Sequence, residues 1–294
     1  MAANSRMFFD RPYMPPTRQR RVLGLALIGI ASLALSAGCE KRPDEAVAAA
    51  RPPAENAVMS SGDILKTYRP NLAVIEVSWE EPSPLLVGWR SQGRVGTGVI
   101  VACDGRRAIV LTSRCLVDPG FGPNASARRR NVAFRVSTPG QRSVNQSESA
   151  RLVAVFMNGG DLALLRIGAP TREPFIVPIL PRGSLRAGDA VTVVGPPAEQ
   201  GFTLSTGAVS NFWENSQTAA DTLQISISSG PAATAGVVFA HQGGRLVGIV
   251  GGNARPSATP GAAAVVPAEL LRRTDFWDYL MEEGPTRELL GLLR

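Results

Sequence analysis

An all-β fold is predicted from three features of this 294-residue chain. Short runs rich in Val, Ile, Leu and Thr recur from residue 72 to residue 266, separated by turn-forming residues. Glycine (30) and proline (23) are abundant while aromatic residues make up only 6%, the composition of many tight turns between short strands. No long stretch with helical periodicity interrupts these runs until residue 268.

The elements follow in order. Asp63 is placed to cap a short helical turn, Ile64–Tyr68, which must stop before Pro70. Strands are then expected at LAVIEVSW (72–79), TGVIVAC (97–103), RAIVLTS (107–113), NVAFRVS (131–137), ARLVAVF (150–156) and LALLRI (162–167). A second group follows at AVTVVG (190–195), GFTLSTGAVSNF (201–212), LQISIS (223–228), GVVFA (236–240), RLVGIVGG (245–252) and AAAVV (262–266). Many closely spaced strands without crossover helices argue for a barrel or sandwich. From Pro267 the run AELLRRTDFWDYLMEE has an amphipathic helical pattern, Gly284-Pro285 breaks it and TRELLGLLR reads as a second short helix; Leu270, Phe276, Trp277, Leu280 and Leu289 are expected to pack on the β core.

The N-terminus reads as an export signal. Arg18, Arg20 and Arg21 precede an uncharged apolar run of 16 residues, 22–37, shorter than the roughly 20 residues of a membrane-spanning helix. The segment Leu35-Ser36-Ala37-Gly38-Cys39 resembles a bacterial lipobox, which implies lipidation of Cys39 and a membrane-anchored lipoprotein on the periplasmic or cell-surface side. Without residues 1–38 the chain keeps 26 basic and 23 acidic residues, a net charge of +3. The formal +7 of the full chain is therefore weak support for nucleic-acid binding, and no nucleic-acid partner is expected. The expected organisation is a signal peptide at 1–38, a flexible linker at 39–62, a folded domain at 63–274 and a helical extension at 275–294.

Three cysteines cannot form a closed disulfide framework. Cys103 lies beside the Asp104-Gly105 turn and Cys115 past the far end of the same hairpin, too distant to be bridged, so free thiols are expected. One histidine, His241, and two distant thiols offer no metal-ligand set, and neither metal nor cofactor is expected. In the run Ala240-His241-Gln242-Gly243-Gly244, His241 reads as an exposed turn residue.

Six motifs in order carry a family resemblance. They are Gly96-Thr97-Gly98-Val99-Ile100; Val110-Leu111-Thr112-Ser113-Arg114-Cys115; Asp161-Leu162-Ala163-Leu164-Leu165; and Gly188-Asp189-Ala190-Val191 with Gly195-Pro196-Pro197 and Thr203-Leu204-Ser205-Thr206-Gly207-Ala208-Val209-Ser210. Gln224 through Gly236 and then Leu246-Val247-Gly248-Ile249 with Val265-Val266-Pro267 complete the series. From about residue 64 to 273 the chain resembles the HtrA/Deg branch of the trypsin-like serine proteases, without the peptide-binding PDZ domain that members usually carry. The resemblance implies two antiparallel β-barrels with a C-terminal helix. It also implies a degenerate catalytic triad: Cys115 at the histidine position, Asp161 at the aspartate position and Thr234 at the serine position. The oxyanion-hole positions fall on Ala232 and Thr234, with Ala232 and Ala235 replacing family glycines.

A serine protease needs a base that accepts the nucleophile's proton and an aspartate that stabilises the resulting imidazolium. A thiol becomes negative when it loses its proton, so a neighbouring carboxylate opposes its ionisation. The expected function is a catalytically inactive, exported and lipid-anchored homologue acting as a peptide- or protein-binding or scaffold module, whose cleft can hold an extended peptide by strand pairing. Two alternatives stand beside it. One is an active serine-type endopeptidase with a non-standard Thr234/Asp161 site; the other is a thiol redox role for Cys115, which requires a low-pKa thiol.

Overall fold

The computed structural model describes residues 53–54, 57–83, 88–118, 130–139, 147–156, 161–168, 170, 174–198, 201–213, 222–227, 236–251 and 261–272, with 288 and 291. All lie in one compact unit, Ala46–Arg294. Twelve strands form two closed barrels, each an antiparallel ring of six. The first contains β1 (Leu72–Pro82), β2 (Trp89–Cys103), β3 (Arg107–Thr112), β4 (Arg130–Ser137), β5 (Glu148–Val155) and β6 (Ala163–Gly168), ordered β1-β2-β3-β6-β5-β4. The second contains β7 (Ala190–Ala198), β8 (Gly201–Trp213), β9 (Thr222–Ile227), β10 (Val237–Ala240), β11 (Leu246–Val250) and β12 (Ala262–Pro267), ordered β10-β11-β12-β9-β8-β7. Every expected strand is present.

Burial explains why some runs alternate and others are continuously apolar. On β1, Ala73, Ile75, Val77 and Trp79 point into the first barrel, while intervening positions are less buried. Strands β3, β6 and β11 are covered on both faces. Ala108 and Val110 fill the first barrel, whereas Ile109 and Leu111 join a second layer that includes Leu162 and Leu164 of that barrel and Phe239, Leu246 and Ile249 of the other. Val247 and Val250 turn instead into the second barrel. A strand buried on two sides reads as an unbroken apolar run. Close strand crossings require glycine at Gly98 and Gly248: a Cβ would lie 2.5 Å from Val110 at the first and 2.1 Å from the Val266 carbonyl oxygen at the second.

The N-terminal helix α1 spans Ser61–Tyr68. Its cap is Ser60, not Asp63: the Ser60 hydroxyl accepts from the Asp63 amide, and Asp63 at N3 accepts in return. This capping box starts the helix three residues earlier than the sequence reading. Tyr68 at its end is buried and stacks on Phe239, centroids 4.4 Å apart. After β12, Ala268–Arg272 forms a 3₁₀ helix whose Leu270 and Leu271 pack into the layer between the barrels. The longer helix expected from Phe276 onward, the signal segment and Cys39 lie outside the described residues. Among the described residues no helix is long and apolar enough to cross a membrane.

Candidate active site

Strand β3 ends in a sharp corner built by local sequence. Ser113 caps a four-residue helix α2 (Arg114–Val117), its hydroxyl accepting from the Cys115 amide at 3.1 Å. Leu116 and Val117 anchor the turn in the first barrel. Gly96 makes the room, since a Cβ there would lie 2.5 Å from Leu116 Cδ2. Arg94 on β2 donates to the Cys115 carbonyl at 2.9 Å, with its guanidinium 5.2 Å from the Trp79 ring centre. Cys115 is thus fixed from several directions.

Asp161, just before β6, is 3% exposed. One carboxylate oxygen accepts from the Cys115 amide at 2.7 Å, and its main-chain oxygen accepts from Arg114 N–H at 3.3 Å. The Cys115 thiol also hydrogen-bonds to this carboxylate. Burial first, and then the Asp161 charge and this hydrogen bond, push the thiol up to about 12; Arg94 and Arg114 oppose the rise only weakly. Arg114 itself pairs with Asp118 at 3.2 Å. On the second barrel, a Cβ on Gly251 would lie 3.3 Å from Asp161 Oδ2. Asp161 therefore sits against the end of β11, where the two barrels meet.

The structure brings together Cys115 and Asp161. Thr234 and Ala232, the other candidate positions, lie outside the described residues, as does Ala235. Both Cys103 and Cys115 are free thiols, as expected. Cys103 packs against the first barrel's core and accepts a hydrogen bond from Gly105 N–H at 3.4 Å.

His241 departs from the sequence reading. It is half-buried rather than an exposed turn residue, and its Nε2 lies 2.8 Å from the Thr192 hydroxyl. Thr192 in turn meets Ser61 Oγ at 2.7 Å, which meets Thr206 Oγ1 at 3.0 Å. Main-chain bonds from His241 N to Ala190 O and from Met59 N to His241 O close the cluster. It joins the start of α1 to the second barrel. His241 follows β10, whereas Gly251 follows β11, its antiparallel partner. Five residues of strand at about 3.3 Å each separate the two ends of β11, so the imidazole is roughly 15 Å along the strand from the Asp161 corner.

A thiol in the Cys115 position can donate one hydrogen to Asp161 but has no second basic atom with which to receive another proton. An imidazole does both. The corner keeps the hydrogen-bonded geometry of a base and its orienting carboxylate, with a thiol in place of the imidazole. The raised thiol pKa runs against the redox reading of Cys115, which needs a readily formed thiolate.

A family model described as the trypsin-like peptidase domain matches residues 96–249. The chain belongs to that family. Among solved structures, it is similar to two of the HtrA-type protease AlgW with a decapeptide, one of them a variant. They share 19% and 20% sequence identity with it at TM-scores of 0.55 and 0.52. Each match covers 72% of this chain and 64% or 65% of the other, so the chain spans less than two thirds of those structures' length. No curated protein matches the sequence.

Sequence reasoning missed Arg94 and Gly251 as parts of this corner, and the capping role of Ser113 within it. Only Ser113 carried a local signal, a cap-forming serine before a short helical turn.

Proposed function

We propose that this trypsin-like domain is a pseudoprotease: it holds extended peptide or protein segments and does not hydrolyse them. The observation that carries this reading is the Cys115 thiol, hydrogen-bonded to Asp161 with a pKa near 12. General-base catalysis is most effective from a group that titrates near the working pH. This thiol stays protonated at pH 7, and when it does ionise it sets a second negative charge beside the carboxylate. Loss of a triad base costs several orders of magnitude in rate. The replacements at Thr234 and at the glycine position now held by Ala232 act in the same direction.

Peptide holding is supported by the persistence of both barrels and of the seam between them, because strand addition uses main-chain groups rather than the triad. AlgW, which is similar in fold, was solved with a decapeptide. The signal-like residues 18–39 support export and lipidation at Cys39. Incubating the full chain with an unstructured protein such as casein tests the reading. Saturable binding with no new peptide termini by mass spectrometry is expected; new termini that vanish in Thr234→Ala would contradict it. Metabolic labelling with palmitate that disappears in Cys39→Ala is expected from the lipid anchor, and an unlabelled parent would refute that part.

A further inference from the structure

The residues just before α1 lie along the β10–β11 turn as an added strand. Val58 bridges Gln242 in antiparallel register. Met59 N–H donates to the His241 carbonyl at 2.9 Å, and Gly243 N–H donates to the Ala57 carbonyl at 2.7 Å. Side chains alternate as strand geometry requires: Val58 is 82% exposed and Met59 only 7%. Met59 enters a slot that Gly244 leaves open. A Cβ at 244 would collide with Met59 Sδ and would lie 3.1 Å from Pro53 Cγ and 3.5 Å from Tyr68 Cε2. Position 244 also has φ +59°, a conformation that favours glycine. The slot opens into the layer between the barrels, where Met59 joins Tyr68, Phe239 and Leu246. The segment then runs directly into α1, whose Ser61 hydroxyl lies 2.7 Å from Thr192 Oγ1.

We propose that this turn is a strand-addition site for extended peptide segments, and that Ala57–Met59 is its built-in occupant. Recognition by strand addition takes affinity from main-chain groups at an accessible edge and selectivity from pockets for alternate side chains. The His241 carbonyl and Gly243 N–H supply the first, and the Gly244 slot supplies the second. The occupant defines what fits. Contact with the slot is made by a δ atom, so methionine or leucine reaches it and valine stops short. The residue at the Val58 position faces solvent and is not selected. The partner is therefore an extended segment of Ala-x-Met or Ala-x-Leu type, docked at a place independent of the Cys115–Asp161 corner. The advantage of the built-in occupant over an outside peptide is its covalent linkage, equivalent to an effective concentration on the order of millimolar. The site is shut while Ala57–Met59 is docked and opens when that segment lifts.

Fluorescence anisotropy of the full chain in nonionic detergent, with a labelled peptide of residues 53–62, tests this. Met59→Asp sets a carboxylate against the apolar slot and lifts the segment. This variant is expected to bind the peptide saturably and roughly tenfold more tightly than the parent does. Should Met59→Asp fold poorly in thermal melts, Met59→Gly takes its place. Changes in the peptide leave the folding of the protein untouched. There Met59→Leu and Val58→Lys should keep the affinity, whereas Met59→Val and Met59→Asp should weaken it roughly tenfold. An unlabelled peptide of unrelated sequence that keeps only the Ala-x-Met pattern should displace the label. The proposal is overturned by no saturable binding to the opened variant, by equally tight binding to the parent, by indifference to the peptide's methionine, or by displacement with the chain's own sequence alone.

Discussion

Two corners of the molecule divide what a serine protease keeps together. At the end of β3, a buried carboxylate is oriented by a short capped helix and faces a thiol. At the β10–β11 turn, the chain's single histidine is oriented just as carefully, but by Thr192, Ala190 and the N-terminal segment. One corner has the aspartate without an imidazole; the other has the imidazole against a hydroxyl. The comparison separates two demands on a protease fold. Hydrogen-bonded order at a site persists as long as each buried polar group has a partner, and chemistry persists only if that partner can carry a proton. Cys115 meets the first demand, and in the proposed pseudoprotease its raised pKa keeps it from the second.

Removing the carboxylate should have the largest effect. Asp161→Ala leaves the Cys115 amide and thiol without their acceptor and is expected to cost about 2 kcal/mol in denaturant unfolding. Asp161→Asn keeps an acceptor and should cost clearly less. Equal costs would mean that the first corner is not organised by these hydrogen bonds.

The thiol gives the next effect, read as pH dependence. Its folded pKa, about 12, is raised above its ordinary value of 9.0. The stabilising contribution is therefore fully present below pH 9 and is lost as the pH rises towards 12. Compared with Cys115→Ser, the parent should lose more stability across that window. Iodoacetamide alkylation of Cys115 should likewise stay slow at pH 8 and accelerate in Asp161→Asn. Parallel stability curves would break the contrast between the corners.

Effects at the histidine corner should be smaller and purely structural. His241→Ala removes one hydrogen bond to Thr192 and is expected to cost about 1 kcal/mol in denaturant unfolding. Tyr68→Phe nearby is the smallest change and has the opposite sign. The buried Tyr68 hydroxyl has no hydrogen-bond partner among the described residues, so its removal should stabilise the fold by up to about 1 kcal/mol in thermal melts. A large loss from Tyr68→Phe would show that this hydroxyl holds a partner.

The strands were legible because each depends on a run of neighbouring residues, and the doubly covered β3, β6 and β11 announce themselves as continuous apolar segments. Pairing Cys115 with Asp161, 46 positions away, rested on family resemblance rather than on any local pattern. The surroundings of His241 were not legible. Its hydroxyl partner Thr192 is 49 positions distant, and Ser61 lies a further 131 from Thr192. Such contacts are created by barrel closure, and a histidine two residues before a Gly-Gly turn looks the same in sequence whether or not a helix docks over it. The Ser60 cap was missed for a simpler reason, since Ser60 and Asp63 are both good caps and only their reciprocal bonding decides between them.

The central claim is that the fold outlasts the chemistry, and an active-site fluorophosphonate probe tests it most directly. Full-length protein, exposed to the probe at neutral pH beside a Thr234→Ala control, should show no labelling above the control. Labelling of the parent that disappears in Thr234→Ala would contradict the account, because it would require a working base that neither corner supplies.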